Sequence, residues 1–292
     1  MARSRNNPDA SSPASAGGSR GDARVLARVT ARVLRDGAQA LYRDPALFDQ
    51  LYRRRRQDVE FYLDCARRFR GPVLELGAGS GRVAIALARA GFDVVGVDAM
   101  PGMLAAGRAR LAEDPPEVTA RVRWVRGDLR SVRLRRRFPL VIAPFNTFMH
   151  LYQRRDLERA LATARAHLRP RGRLVFDVMM PDLRALLQNP DRLYACGQLR
   201  HPTTGTRYRL REASHYDPLA QLRSVTMVLE PLASSDRALA VPLVQRQWFP
   251  AELEAALHHN GFELEERFGD FERGPAGERS EVQALVARVR RR

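Results

Sequence analysis

The residues of this chain whose types and spacing could do chemistry begin at a glycine turn, Glu75-Leu76-Gly77-Ala78-Gly79-Ser80-Gly81-Arg82. A glycine lets the backbone approach a ligand closely, and a strand-to-helix turn puts that approach at the carboxyl end of a parallel sheet. A dinucleotide fingerprint would read G-x-G-x-x-G, but Arg82 takes the sixth position and the spacing is G-x-G-x-G. Without that pyrophosphate signature, the amides at the start of the following helix suit a smaller anion such as a carboxylate. Two further acids stand where nucleoside recognition requires them. Asp98 closes the next strand, 21 residues after Gly77, where a carboxylate accepts from both hydroxyls of a ribose. Asp128, in Gly127-Asp128-Leu129, closes the strand after that, where it can accept from an adenine amino group while a neighbouring amide meets a ring nitrogen.

Glu75, Asp98 and Asp128 can act together only if their strands are neighbours, and the hydrophobic pattern supplies such a scaffold. Gly71-Pro72 breaks a helical stretch, and Val73 to Leu76 reads as a short buried strand. A helix carrying Val83, Ala86, Leu87 and Ala90 follows and stops at Gly91, where a left-handed cap is expected. Strands at Val94–Val97, Val122–Val125, Leu140–Ala143 and Arg173–Val178 alternate with helices from Pro101 and over Arg154–Leu168. Five strands alternating with helices imply an α/β, Rossmann-like, doubly wound sheet. Beyond Val178 the alternation ends. Thr206–Leu210 and Ser224–Leu229, separated by Asp217-Pro218, resemble antiparallel strands. A helix over Ala251–His259 and strands at Phe262–Phe268 and Val282–Val289 are expected to complete a seven-stranded sheet, mostly parallel with an antiparallel carboxyl-terminal strand. The expected organisation is a disordered leader over 1–22, a helical cap over 23–70 and a core over 71–180. An inserted antiparallel β lid over 181–249 and a carboxyl-terminal completion of the core over 250–292 follow.

Composition narrows the classes. A chain of 292 residues with 45% hydrophobic content can build an enzyme-sized core. A mean hydropathy of −0.39, with no run near the ~18 apolar residues of a membrane span, argues against insertion in a bilayer. The formal charge of +17 would point to a polyanion, yet all 50 basic residues are arginine, a usage that fits codon bias toward GC-rich DNA. Two cysteines, Cys65 and Cys196, are too few for a disulfide framework, so a reducing cytoplasm is the expected compartment. His258-His259 lacks an acid or cysteine at ligand spacing, and no metal is expected.

The segments VLELGAGSGR at 73–82, VVGVDAM at 94–100, VRGDL at 125–129 and LRPRGRLVFDV at 168–178 resemble the class I S-adenosylmethionine-dependent methyltransferases. The stretch QWFPAELEAALHHNGFELEERFGDF at 247–271 is similar to a small-molecule subgroup that includes sugar-amine N-methyltransferases. The resemblance implies S-adenosyl-L-methionine as cofactor, with Gly77, Ala78, Gly79 and Gly81 along its methionine end. It implies Asp98 on the ribose, Met100 packed on adenine, Asp128 with Leu129 at the adenine edge, and Glu75 nearby. The resemblance also implies Tyr52 near the methionine end, with Arg82, Ala99 and Pro144 completing the cofactor-lining set.

Methyl transfer from a sulfonium needs alignment and exclusion of water rather than a covalent protein nucleophile. The acceptor is expected beside Ala143-Pro144-Phe145-Asn146-Thr147-Phe148-Met149-His150, with Asn146 orienting a polar group and Phe145 or Phe148 as an apolar wall. His150 is the candidate base, since an ordinary imidazole titrates near neutrality. Tyr52, Phe48, Tyr208, Tyr216 and Trp248 are expected to cap the pocket. The partner is a small-molecule acceptor, with monomer and homodimer both open. A nucleic-acid acceptor, favoured by the charge, ranks below it, and residues 143–148 depart from the N-P-P-[YF] sequence of many base methylating families. A non-catalytic, cofactor-binding regulatory protein is the alternative of a different class, and an oxidoreductase ranks lower because Arg82 displaces the third glycine.

Overall fold

The computed structural model describes residues 39–233 and 237–290. The expected leader over 1–22, the first part of the expected helical cap over 23–70, and the final two arginines lie outside the described residues.

The alternation folds as its pattern requires. Strands β1 (Val73–Leu76), β2 (Val94–Asp98), β3 (Val122–Arg126), β4 (Phe138–Ala143), β5 (Leu168–Met179), β10 (Phe262–Phe268) and β11 (Val282–Val289) form one sheet in the order β10-β11-β5-β4-β1-β2-β3. β1, β2, β3, β4 and β5 pair in parallel, and β11 is antiparallel to both β5 and β10. β1 lies between β2 and β4, where the strand order reverses, and a ligand in such a sheet sits outside the carboxyl ends of the strands at that point. The glycine turn after β1 and the turn after β4 therefore face one crevice.

Helices α1 (Pro45–Tyr52), α2 (Gln57–Phe69), α3 (Arg82–Arg89), α4 (Pro101–Leu111), α5 (Pro116–Thr119), α6 (Arg154–His167), α7 (Leu183–Leu186) and α8 (Pro250–His259) flank the strands. The end of α3 shows why glycine stands at 91. Gly91 adopts φ 91°, its amide donates to Ala88 O at 2.9 Å and the Phe92 amide to Leu87 O at 3.0 Å, the double bond of a left-handed cap. One face of the main sheet buries Leu74, Val141, Phe176 and Leu285 against α6, α8 and Trp248. The other buries Val73, Ile142, Val175 and Val286 against Phe61 and Tyr62 of α2 and Val83 and Leu87 of α3. Both faces are covered, which is why these strands read as continuous apolar runs rather than alternating ones.

A second sheet, antiparallel, runs β6 (Tyr194–Arg200), β7 (Arg207–Asp217), β8 (Leu222–Pro231) and β9 (Leu239–Arg246) in that order. The sequence pattern showed two of these strands. β6 escapes it because its residues are mostly exposed and a register shift near Gly197 breaks alternation; β9 carries Pro242 in its middle. Tyr208, Val225, Met227 and Val241 on one face of this sheet pack on Leu41, Leu47, Phe48 and Met103, so it covers the crevice beside α1 and α4. β5 is longer than expected, because Leu168 already pairs with Phe138 before the register shifts to Leu140 and Arg173.

Phe176 is fully buried and its ring stands 4.8 Å from that of Phe148. Phe176→Ala should cost about 3–5 kcal/mol, the usual loss for a buried phenylalanine, read as a drop in the denaturant midpoint with an unchanged slope.

Candidate active site

Local chemistry explains the glycine turn. The amides of Gly77 and Ala78 both donate to Val97 O, at 2.8 and 2.9 Å, and Gly81 donates to Ala78 O at 2.9 Å. The Gly79 amide donates to Asp98 Oδ2 at 2.8 Å. The amides of Gly77, Ala78, Gly79 and Gly81 are thus spent inside the protein, and what these positions offer a ligand is shape. A Cβ on Gly77, at φ +77°, would stand 2.6 Å from Thr147 Cγ2 and Oγ1, so the turns after β1 and β4 already touch there. Gly81 has a second reason to be small. A Cβ there would stand 2.5 Å from the Trp124 ring, which also crowds Gly96 and Gly107 at 3.0 and 3.1 Å.

The three acids differ in their freedom. Asp98 accepts from Gly79 N and, through Oδ1, from Met100 N at 2.8 Å, a grip that aims the carboxylate and leaves further lone pairs for a diol. Burial raises its pKa, and the amide bonds of Met100, Gly79 and Ala99 oppose that rise. Glu75 is 2% exposed, and its carboxyl group is bonded to the backbone at Ala84 in the first turn of α3. Burial pushes its pKa up to about 8 against the opposing pull of Arg82, and its Oε2 has no partner. Asp128 is held by Arg130, whose Nη2 lies 2.6 Å from Oδ2 and whose amide and Nε reach Oδ1 at 2.8 and 3.0 Å. That bond holds Asp128 below the usual carboxylate range, and its use toward an adenine requires Arg130 to yield an oxygen.

The turn after β4 is held from beneath. Phe145 and Asn146 adopt φ 58° and 61°, a left-handed conformation costly for residues with a side chain. Asp177, at the end of β5 and fully buried, accepts from Phe145 N at 2.7 Å and Asn146 N at 3.2 Å. It also accepts from the Tyr62 hydroxyl at 2.6 Å. Asn146 Oδ1 accepts from Met179 N at 2.7 Å, and Pro144 O accepts from the Thr147 hydroxyl at 2.7 Å. The turn lifts the Phe145 ring to 4.8 Å from Tyr52 and 6.0 Å from Phe48, with the Arg55 and Arg82 guanidiniums 4.8 and 5.1 Å from its centre. Arg82 in turn makes a two-pronged bond to buried Asp58, at 2.7 and 2.6 Å.

His150 stands differently from a free base. Its Nε2 lies 2.7 Å from the Tyr42 hydroxyl, the ring also bonds the Val244 backbone, and burial pushes its pKa down to about 4. The imidazole is therefore engaged on the protein by the Tyr42 hydroxyl and the Val244 backbone. The expected capping residues also separate: Tyr208 packs under the second sheet with Phe48, whereas the Trp248 indole is buried in the main core and donates to Phe148 O at 2.9 Å. Asp177, Tyr62, Asp58, Arg55 and Tyr42 were not singled out in the sequence. An acid inside the apolar run LVFDVM was the one signal that could have marked Asp177.

A cavity of about 1280 Å³ lies beside the end of β5 and the segment joining β10 to β11, lined by Arg55, Met180, Leu183, Asp270, Phe271 and Glu278 among others. Of the residues described above, Arg55 and Met179 reach it, and the glycine turn, Asp98, Asp128 and Phe145 do not line it. Among the described residues no histidine, cysteine and carboxylate group is placed to hold a metal ion, and no helix is long and apolar enough to cross a membrane. The residues fit S-adenosylmethionine on two observations: an amide-anchored acid at Asp98 beside glycines with no side chain, and the unpartnered, buried Glu75 Oε2.

Comparisons agree with this geometry. The family described as a methyltransferase domain matches residues 73–172. The chain is similar to the CcbJ methyltransferase from Streptomyces caelestis, with 30% identity, a TM-score of 0.68, and coverage of 81% of this chain and 97% of that one. It is similar to the glycopeptide N-methyltransferase MtfA complexed with S-adenosyl-L-methionine, at 26% identity and TM-score 0.54, over 78% of this chain and 87% of that one. A glycine/sarcosine N-methyltransferase of Parasynechococcus marenigrum (strain WH8102) is 36% identical over 108 residues. That match spans 36% of this chain and 36% of the relative's length.

Two outcomes follow from the buried acids. Tyr62→Phe leaves Asp177 short of a donor and should cost about 1–3 kcal/mol in chemical denaturation. Glu75 has its folded-state pKa, about 8, above the ordinary 4.5, so the fold prefers its protonated form. Its contribution is complete below about pH 4.5 and is lost as pH rises through about 8. The stability of Glu75→Gln relative to the native chain, both without ligand, should therefore rise across that window in pH-dependent melts.

Proposed function

Because this chain belongs to the class I S-adenosylmethionine-dependent methyltransferases, we propose that it moves a methyl group onto a nitrogen or oxygen of a small-molecule acceptor. The observation that carries this reading is the meeting of two turns at the switch point of the sheet. One is anchored by Asp98 and the other presents the Phe145 ring. S-adenosylmethionine supplies an activated methyl group on a sulfonium.

The chain's own residues would bind, orient and exclude water. Asp98, fixed by two amides, would accept from the ribose hydroxyls, and Met100 would cover one face of the adenine. Ala99, Leu129 and Pro144 would line the same cleft, with Asp128 at the adenine edge once Arg130 yields. Gly77, Ala78, Gly79 and Gly81 would leave room for the methionine end beside Glu75 and Tyr52. Asn146 has its carbonyl oxygen committed to Met179 N, so its amide nitrogen is the group left to orient an acceptor. Phe145 and Tyr52 would form the aromatic wall beside the reacting centre, where a dispersed positive charge meets π-faces favourably.

Nitrogen is the favoured acceptor atom, in keeping with the names of relatives described as glycine/sarcosine and glycopeptide N-methyltransferases. The setting is a reducing cytoplasm, in keeping with Cys65 and Cys196 as free thiols. In isothermal titration the folded native chain should bind S-adenosylmethionine and S-adenosylhomocysteine at micromolar levels. Asp98→Ala, checked for folding, should weaken both by about tenfold or more, since a hydrogen bond to a charged group contributes roughly 1.5–3 kcal/mol. No binding by the native chain would remove the methyltransferase reading.

A further inference from the structure

Strand β7 alternates its side chains across the second sheet, and Tyr208 and Leu210 pack on the inner face with α1. Glu212 is next in that series, and its register partner on β8, Met227, belongs to the same inner cluster. A carboxylate thus stands on an otherwise largely apolar face turned toward the crevice. Its nearest cation, Arg223 Nη2, is 3.7 Å from Oε1, beyond hydrogen-bond length, and the Glu212 side chain is 32% exposed. By contrast, the acid on the opposite face, Glu230, is in close contact with the Arg211 guanidinium.

Aromatic groups surround the approach to Glu212. Tyr52 and Phe145 pack on the same cluster as Met227 and Leu210, the residues that flank Glu212 across and along the strand, and the Tyr52 phenol is near enough to feel the charges of both Glu212 and Arg55. The Tyr52 ring stacks edgewise on Phe145 at 4.8 Å. α7, whose Leu183 lines the mouth of the large cavity, packs against β7. A partly shielded carboxylate beside aromatic faces attracts an ammonium over a neutral hydroxyl, through charge and through the π-faces together.

We propose that Glu212 is the specificity-determining residue of the acceptor site, holding the ammonium of a cationic amine acceptor between the inner face of the second sheet and the Tyr52 and Phe145 rings. The amine gives up one proton to bulk solvent before its nitrogen lone pair attacks the methyl carbon and the thioether leaves. This rests on the methyltransferase reading and deepens it by naming the acceptor class. Cys196, whose thiol lies beside Glu212, and Arg223 are the other polar groups that neighbour it. Arg223 places a like charge next to the bound cation, and the Cys196 thiol is hydrogen-bonded to the same carboxylate, which together limit the site to compact amines that reach its remaining lone pairs.

The test uses the full chain saturated with S-adenosylhomocysteine, titrated with benzylamine against benzyl alcohol and with glucosamine against glucose. At least one amine should bind about tenfold more tightly than its hydroxyl counterpart. Glu212→Gln should erase that preference with S-adenosylhomocysteine affinity unchanged, and Glu212→Asp should keep part of it. Amines bound no better than their alcohols by the native chain, or a preference that survives in Glu212→Gln, overturn the proposal. If Glu212→Gln does not fold, full retention of native preference in Glu212→Asp at raised ionic strength overturns it, since a charge contact there must weaken with salt. Failure of S-adenosylhomocysteine to bind the native chain is a separate result, which removes the underlying methyltransferase reading instead.

Discussion

One buried carboxylate sets the position of most of what matters here. Asp177 sits near the end of strand β5 with no exposure, and a charge in that place is tolerable only when its oxygens are filled with donors. Three donors meet it: the Tyr62 hydroxyl from α2 and the amides of Phe145 and Asn146. Those two amides converge on it because both residues are left-handed, a conformation that the hydrogen bonds offset. One interaction therefore joins α2 to the sheet, closes the turn after β4 and raises the Phe145 ring into the crevice. Burial raises the Asp177 pKa while the bond from Tyr62 lowers it, so the phenol is part of what keeps the acid usable as an acceptor.

From that anchor the charges of the crevice fall into order. Arg82 is locked to Asp58, and Arg55 approaches the same carboxylate only to 3.7 Å, so two guanidiniums share one buried anion above the Phe145 ring. Arginine suits this role, because its flat, weakly hydrated cation stacks on aromatic faces where an ammonium would keep its water. The high arginine content thus has two distinct fates. Some arginines, such as Arg173 with Glu265 and Arg288 with Glu263, make partly exposed ion pairs that contribute little to stability. Others, such as Arg55 and Arg82, build the floor of the site.

The second sheet supplies the roof. Its inner face covers α1 and Met103, and His201 ties the β6–β7 turn to Asp44 at 2.9 Å, the residue that also caps α1. Roof and amino-terminal helix are therefore linked through Asp44. A division of labour is common in doubly wound folds, where the sheet holds what is shared and the added segments select what differs.

Much of this was legible in the chain itself. Runs such as Val73–Leu76 and Leu140–Ala143 can only be doubly covered strands, and the G-x-G-x-G turn with Asp98 and Asp128 at strand ends follows from the need to bring backbone and carboxylates to one edge. These are local signals: a glycine needing a positive φ, an acid closing an apolar run, a proline opening a helix. β6 and β9 were illegible because exposure and Pro242 erase the alternation by which strands are read. What the tertiary structure alone decided were the pairings across long separations. Trp124 explains Gly81, Gly96 and Gly107 at once, the amides of Gly77, Ala78 and Gly79 are taken up by Val97 and Asp98, and His150 meets the hydroxyl of Tyr42, 108 residues away. Residue type states what a group can do; only packing determines its solvation and its partner, and those two quantities set whether an acid, a base or an amide remains free to act.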